Sequence, residues 1–169
     1  DITLDLTCLL APNASAHEHE MTPQQMQALS QADYMFVNGV DLEHFLDQAV
    51  DSSGFHGVMA VTSGVKSEGM SDGNGKYTID EGIEHVSPRP WPFPGEDGEA
   101  PEFKYDPHVW TSPKNAIIQV TNIGAALEKA SPEQAGVFRS HVDAYVAKLK
   151  KLDEWAAGSL NSVPQDKRV

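Results

Sequence analysis

The sequence is poor in cysteine and in basic residues, and each shortage excludes a class of protein. Its 169 residues include one cysteine, so neither an intramolecular disulfide nor a cysteine-based zinc knuckle can form. Lysine and arginine number 12 against 25 aspartates and glutamates, which gives a formal charge of -13. Because a chain this acidic repels phosphate backbones, we expect no nucleic acid among its partners.

Long apolar runs and several catalytic motifs are also missing. No stretch approaches the roughly 20 apolar residues that a membrane span requires. The chain contains neither a Gly-x-x-x-x-Gly-Lys-Ser/Thr phosphate loop nor a Gly-x-Ser-x-Gly nucleophile elbow. Its first residues, Asp1-Ile2-Thr3-Leu4, resemble the interior of a domain rather than a secretion signal. A hydrophobic fraction of 40% is nevertheless that of a folded globular protein.

Three apolar segments in the first 65 residues predict β-strands. Apolar and polar residues alternate over residues 2–10, and this strand is expected to bury Cys8 as a small core residue. Two short, continuously apolar runs, at residues 34–37 and 58–61, predict fully buried strands. Strands that are apolar on both faces are typical of a sheet covered by helices on both sides.

Helix signals lie between these strands. Thr22-Pro23 predicts a helix start, and Gln25 completes a capping box with Thr22. Asp41 is expected to cap a second helix that reaches about Val50. Strands and helices that alternate at this spacing predict an α/β fold with a parallel sheet.

Composition changes after residue 65. Residues 66–105 are acidic and hold five of the 11 prolines and six of the 13 glycines, which predicts a long, partly mobile surface insertion. Helix patterns return with Ser112-Pro113, and a second, longer pattern covers residues 131–160. We therefore divide the chain into an α/β lobe (1–130), a long helix (131–160) and a tail (161–169) that leads toward a further strand.

Histidines and acids follow two of the predicted strands. His17 and His19 follow the first strand, and His108 follows the third strand across the insertion. Because parallel strands end at one edge of a sheet, these imidazoles are expected to meet there. Neutral imidazole is a ligand for zinc and other first-row metals, and Glu20 or Asp106 could bind directly or orient a ring. A packed, hydrogen-bonded histidine without metal is the alternative at each position.

The segments that carry the histidines share a further property. One runs from Leu6 to His17 and continues as Glu20-Met21-Thr22-Pro23; the other is Asp106-Pro107-His108-Val109-Trp110. Each is similar to a ligand segment of the zinc/manganese ABC-transporter solute-binding proteins, the TroA-like metal receptors. The resemblance covers nearly the whole chain outside the insertion, and the two segments in this order and spacing are specific.

The resemblance implies a fold and a function. Such receptors have two α/β lobes joined by one long, stiff helix, hold a metal ion between the lobes, and deliver it to a membrane permease. They are periplasmic or extracellular, and some are anchored to the membrane. The resemblance maps the two metal-binding histidines of the amino-terminal lobe onto His17 and His108, and not onto His19, because Glu20 falls three residues after His17. We keep His19, Glu20 and Asp106 as candidate supporting or alternative ligands.

The cargo expected from the resemblance is zinc, with manganese as the alternative. Zinc members commonly carry a long acidic insertion at the position of residues 66–105, although theirs is richer in histidine. Two imidazoles also suit zinc better than manganese, which prefers more oxygen ligands.

The sequence departs from the family at both ends. The second lobe and the first strand-helix unit are absent, so we expect a piece of a longer protein. A missing strand would leave an open sheet edge, and a second copy could cover it through dimerisation or strand exchange.

Two other functions compete with the metal receptor. A two-histidine metallohydrolase would use Glu18 or Glu20 as general base, but no further acid–base pair is evident, and we expect no enzyme. A surface adhesin or interaction domain would use the acidic insertion as its contact surface.

Overall fold

The fold comes from a computed structural model that describes residues 4–17, 19–43, 46–70, 75–95, 99–101 and 103–167. Its strands are β1 (Tyr34–Val37), β2 (Val58–Val61) and β3 (Thr78–Asp80), and its helices are α1 (Pro23–Gln31), α2 (Leu46–Ser53), α3 (Pro113–Ala130) and α4 (Ala135–Asn161). Short 3-10 turns occupy Val109–Thr111, Pro132–Gln134 and Gln165–Lys167. None of the helices in these ranges is long and apolar enough to cross a membrane.

The three strands form one parallel sheet in the order β1-β2-β3. In register, Tyr34 lies opposite Val58, and Val58 lies opposite Thr78. The main core packs α1 and α2 against this sheet through Leu29, Met35, Val37, Leu46, Val50, Phe55, Met59, Val61 and Met70. The predicted α/β class with a parallel sheet is confirmed, as are the strands at 34–37 and 58–61. The expectation that both strands are fully buried is wrong for β1, because Phe36 is 36% exposed.

Helix starts agree with the sequence signals at two positions. At α1, the Thr22 hydroxyl accepts the Gln25 N–H, and the Gln25 side chain accepts the Thr22 N–H, so the predicted capping box is present. At α3, Pro113 occupies the first turn as expected. Helix α4 has 27 residues, about 40 Å at ~1.5 Å per residue. It packs antiparallel to α3, with Val142 against the backbone of Gly124.

The predicted strand at residues 2–10 is wrong where the structure describes it. Residues 4–10 are irregular, and Cys8 is exposed rather than buried in the core. Leu4 and Leu6 are 59% and 80% exposed. A strand needs a neighbour for its backbone groups, and within the described ranges no ladder pairs with this segment. The side-chain amide of Gln25 instead donates to the Leu9 carbonyl.

Asp41 does not cap a helix, and α2 begins at Leu46 rather than just after Asp41. Gly39, Val40 and Asp41 all have positive φ angles (80°, 55° and 58°), which a residue leading directly into a right-handed helix does not adopt. The Asp41 carboxylate accepts the backbone N–H of Glu68 instead. Asp41 therefore links the loop after β1 to the loop after β2, a contact that helix-cap preferences do not predict.

The segment 66–105 is more than the predicted surface insertion. It supplies β3, and it buries Met70, Val86 and Phe103. A three-residue strand between Gly75 and Gly82 is too short to give a readable periodicity. The buried amide of Asn122 on α3 fixes the chain after β3, because its Oδ1 accepts the N–H groups of Ile83 and Glu84.

Candidate metal centre

The site lies at the carboxyl end of the sheet. The loop that leaves β1 begins with Asn38-Gly39, and the loop that leaves β2 begins with Thr62-Ser63. The His108 segment lies directly above them, because the Asn38 side chain donates to the Pro107 carbonyl at 3.1 Å. This is the edge at which open parallel sheets bind ligands.

Asp106 holds His108 in one orientation. A single carboxylate oxygen of Asp106 accepts both the His108 backbone N–H (3.0 Å) and the ring Nδ1–H (2.7 Å). With the proton on Nδ1, the lone pair of Nε2 faces away from the carboxylate. Burial disfavours the charged Asp106 carboxylate, but its two hydrogen bonds with His108 and the charge of Arg89 outweigh burial and lower its pKa.

His17 faces the Nε2 atom of His108, on the side of the ring away from Asp106. Its backbone N–H donates to the Ser15 hydroxyl at 3.2 Å, and its ring Nδ1 is buried without a hydrogen-bond partner among the described residues. The two Nε2 atoms of His17 and His108 lie 3.3 Å apart. The expectation that segments 91 residues apart bring these imidazoles together is met by the geometry.

The separation of the two nitrogens fits a shared cation. Two nitrogens bound at ~2.05 Å in tetrahedral geometry lie about 3.3 Å apart, which matches the distance between His17 Nε2 and His108 Nε2. Without a metal, one imidazole must place its N–H between the two nitrogens, because two facing lone pairs repel. The pair can therefore hold either a proton or a metal ion, and a metal would displace that proton.

A network that the sequence analysis missed supports the His108 arm. The Asn38 Oδ1 accepts the Gln119 side-chain N–H at 2.9 Å, while Asn38 Nδ2 donates to Pro107. Beneath it, the two carboxylate oxygens of Glu43 accept the N–H groups of Asn38 and Gly39. Burial raises the pKa of Glu43 despite these two hydrogen bonds. The sequence signal that could have pointed to this network is the polar pair Asn38-Gly39, directly after the apolar strand β1.

Aromatic rings and an open cavity flank the histidine pair. The Phe103 ring lies 5.4 Å from His17, and the Trp110 ring lies 5.4 Å from His108, centroid to centroid. A cavity of ≈440 Å³ is lined by both histidines and by apolar residues that include Leu10 and Leu42. The pair is thus reachable from solvent on one side and packed against rings on another.

The other predicted site residues do not complete a closed site. Glu20 is exposed and His19 is partly buried, while Glu18 lies outside the described residues. Among the residues that the structure does describe, no group of three or more His, Cys, Asp or Glu side chains is placed to hold a metal. The described residues thus provide two imidazole Nε2 atoms that face each other, from His17 and His108, and the Asp106 carboxylate binds the other ring nitrogen of His108.

Comparison with known proteins identifies the family. The model of the family described as ZnuA, zinc-uptake complex component A, periplasmic, matches residues 2–169. The chain belongs to this family. The family resemblance inferred from the two histidine segments is thereby confirmed.

Curated relatives agree on the class of protein, and one of the two names a particular metal. The metal ABC transporter substrate-binding lipoprotein SsaB of Streptococcus sanguinis is 28% identical over 98% of this chain and 48% of its own length. The iron ABC transporter substrate-binding lipoprotein MtsA of Streptococcus pyogenes serotype M1 is 26% identical over 98% and 47%. The chain thus spans about half the length of these relatives, and they are substrate-binding proteins rather than enzymes.

Solved structures share the fold. A crystal structure of ZnuA superposes with a TM-score of 0.70 at 20% identity, covering 96% of this chain and 52% of that one. Zn(II)-bound AdcA from Streptococcus pneumoniae gives a TM-score of 0.65 at 21% identity, covering 93% and 28%. At these identities the likeness establishes the fold of a metal-receptor lobe.

Proposed function

We propose that this chain is the metal-binding lobe of an ABC-transporter substrate-binding protein whose cargo is zinc, with His17 and His108 as two of the ligands. The observation that carries the proposal is the 3.3 Å separation of the two Nε2 atoms. Asp106 adds to it by fixing the His108 tautomer that can bind a metal. In this proposal His19 and Glu20 are at most alternative ligands.

Zinc is preferred to manganese and iron on ligand chemistry. Both converging atoms are imidazole nitrogens, which suit zinc, whereas manganese favours carboxylate, carbonyl and water oxygens. The family description names zinc, whereas the name of MtsA includes iron, so the choice of zinc rests on the chain's own two histidines. The remaining coordination positions would be filled by a second lobe of the longer protein, or by water in this chain alone.

Delivery of the metal to a membrane permease follows from the class of the relatives. Their names describe transporter substrate-binding lipoproteins, and the family description is periplasmic. We therefore place this protein outside the cytoplasm, anchored to or facing a membrane that carries its permease. Its net charge of -13 would favour capture of a divalent cation.

A second copy of the chain could also cover its open sheet edge. Strand β1 lies at one end of the sheet, and no described residue pairs with its outer edge. Phe36 on β1 and Leu6 in the irregular segment before α1 are both exposed. Pairing through this edge would give a dimer whose two metal sites stay open, which sedimentation at increasing concentration would detect.

Calorimetric titration of zinc into the metal-stripped protein tests the proposed ligands. His17→Ala and His108→Ala should each weaken binding by at least ~10-fold, equivalent to about 1.4 kcal/mol. His141→Ala is the matched control, because His141 is exposed on α4. Equal zinc affinity in the parent and in both ligand variants would refute the proposal. Titration of manganese into the same proteins decides the cargo.

Neither competing function gains an observation of its own. A hydrolase needs a general base beside the bound metal, and Glu20 is exposed rather than convergent on the histidine pair. The adhesin alternative would need a partner surface on segment 66–105, part of which packs into the core through Met70, Val86 and Phe103. A non-enzymatic receptor therefore remains our prediction.

A further inference from the structure

The insertion is joined directly to the His108 segment. Pro90 and Tyr105 form an isolated antiparallel bridge. On either side of it, the Trp91 N–H donates to the Lys104 carbonyl at 3.2 Å, and the Asp106 N–H donates to the Arg89 carbonyl at 2.8 Å. The residue that orients His108 is therefore held by the backbone of the insertion.

The same ladder places two aromatic rings against the histidine pair. Phe103 is only 5% exposed, and its ring lies 5.4 Å from that of His17. Trp91 meets Phe103 edge-on at 5.0 Å and lies 6.3 Å from His108. We call Trp91 and Phe103 the aromatic wall. It touches both histidines, although both of its residues belong to segment 66–105.

His17 depends on such packing for its orientation. Its Nδ1 has no hydrogen-bond partner among the described residues, so no carboxylate or carbonyl there fixes the ring as Asp106 fixes His108. Because a metal would displace the proton between the two Nε2 atoms, ring contacts are what remain to orient the His17 ring once the metal is bound. A well-packed aromatic neighbour restricts the ring and keeps water from its edge.

We propose that the aromatic wall, Trp91 and Phe103, is a positioning element of the metal centre, so that the insertion sets the affinity of the histidine pair for its metal. This inference rests on the proposed metal-binding function. The proposal gives the insertion a role in metal binding although it has only one histidine, because the insertion would act by packing against the ligands and not by binding the metal. Trp91 and Phe103 act through the histidines and are not ligands themselves.

Substitution at Trp91 tests the proposal, because this residue is only partly buried and its replacement should leave the fold intact. Calorimetric titration of zinc should show about 10-fold weaker binding for Trp91→Ala, the size typical of residues that orient metal ligands. Trp91→Phe keeps an aromatic ring and should bind nearly as the parent does. Phe93→Ala is the matched control, since Phe93 contacts Trp91 but is 62% exposed.

A second variant and a second measurement keep the outcome decisive. Phe103→Leu retains an apolar side chain near His17 without the ring and should also weaken zinc binding. Thermal unfolding of the metal-free proteins separates positioning from folding, because a positioning role lowers the affinity of protein that is still folded. Weakening that merely follows the loss of folded protein, or that is equal in Phe93→Ala, would overturn the proposal.

His108→Ala is titrated alongside to separate the two proposals. If His108→Ala loses zinc while Trp91→Ala and Phe103→Leu bind like the parent, the aromatic wall has no positioning role and the proposed function stands. If His108→Ala also binds like the parent, the proposed metal site itself is refuted.

Discussion

The two segments that form the histidine pair are held in different ways. The His108 segment is fixed by directional bonds: Asp106 binds its Nδ1, Asn38 binds the preceding carbonyl, and α3 follows within a few residues. The His17 segment is irregular, and the His17 backbone N–H donates to the hydroxyl of Ser15, an exposed residue of the same loop. Its ring is oriented by aromatic contacts.

This difference indicates a division of labour within the pair. A ligand fixed by charge-assisted hydrogen bonds loses little entropy when the metal binds, because its ring is already oriented. A ligand held by packing and by an irregular loop can adjust its position at lower cost. Substitutions that loosen the His108 arm should therefore have larger effects than substitutions in the loop that carries His17.

The largest effect is expected at Asn122, which ties α3 to the sheet. This residue is 3% exposed, its Oδ1 accepts two backbone N–H groups, and its Nδ2 donates to the carbonyls of Thr62 and Glu84. Asn122→Ala would leave several of these groups buried without partners, so the free energy of unfolding should fall by about 3 kcal/mol. Urea unfolding measures the loss.

The control for Asn122 is Asn115→Ala, on the same helix and without a hydrogen bond from its side chain to the residues described. Its effect should be within about 0.5 kcal/mol. If the two variants are equally stable, α3 is not held to the sheet by this amide, and the claim that the His108 arm is rigidly mounted fails.

The next largest effect is expected at Asp106. Asp106→Asn keeps the size of the side chain but can place an amide N–H against His108 Nδ1, which disturbs the tautomer that leaves Nε2 free. Zinc affinity should fall about 10-fold. Asp33→Asn, an exposed residue beside the opposite end of β1, serves as control. An unchanged affinity in Asp106→Asn would show that His108 does not need its carboxylate.

Much of the fold and one feature of the site were predictable from the sequence. Strands β1 and β2 are short apolar runs, and the start of α1 is marked by Thr22 and Gln25, so local signals sufficed. The meeting of His17 and His108 followed from the rule that parallel strands end at one edge.

What escaped prediction depends on contacts between distant segments. Strand β3 is defined by its pairing with β2 rather than by its own three residues. Residues 4–10 have a strand pattern but, in the described structure, no neighbour to pair with, so their alternation was misleading. Val40 and Asp41 have positive φ angles in a loop whose backbone N–H groups bind the side chains of Glu43 and Ser67, and a helix-cap rule does not include such contacts.

A smaller effect, with a characteristic pH dependence, is expected at Glu43. Glu43→Gln replaces one oxygen that accepts a backbone N–H, so the free energy of unfolding should fall by about 1 kcal/mol. Because burial raises the pKa of Glu43 in the folded state, its contribution is complete below the unfolded pKa and declines as pH rises through the folded pKa. The deficit of Glu43→Gln should therefore be larger at about pH 4.5 than at about pH 7.5.

Urea unfolding at the two pH values checks this dependence, with Glu99→Gln as the control, because Glu99 is exposed. A deficit that grows with pH would mean that the loop after β1 depends on an ionised Glu43. The fixed arm would then be held by charge rather than by a buried hydrogen-bonding group.

The smallest effect is expected at Ser15, on the arm held by packing. Its hydroxyl accepts the His17 N–H at 3.2 Å in an exposed loop, and a single neutral hydrogen bond of this kind contributes about 0.5 kcal/mol net. Ser15→Ala should therefore weaken zinc binding only about 2-fold. Titration beside Asp106→Asn compares the arms directly. If Ser15→Ala cost as much as Asp106→Asn, the His17 loop would be as rigidly specified as the His108 segment, and the aromatic contacts would no longer be needed to explain how His17 faces its partner.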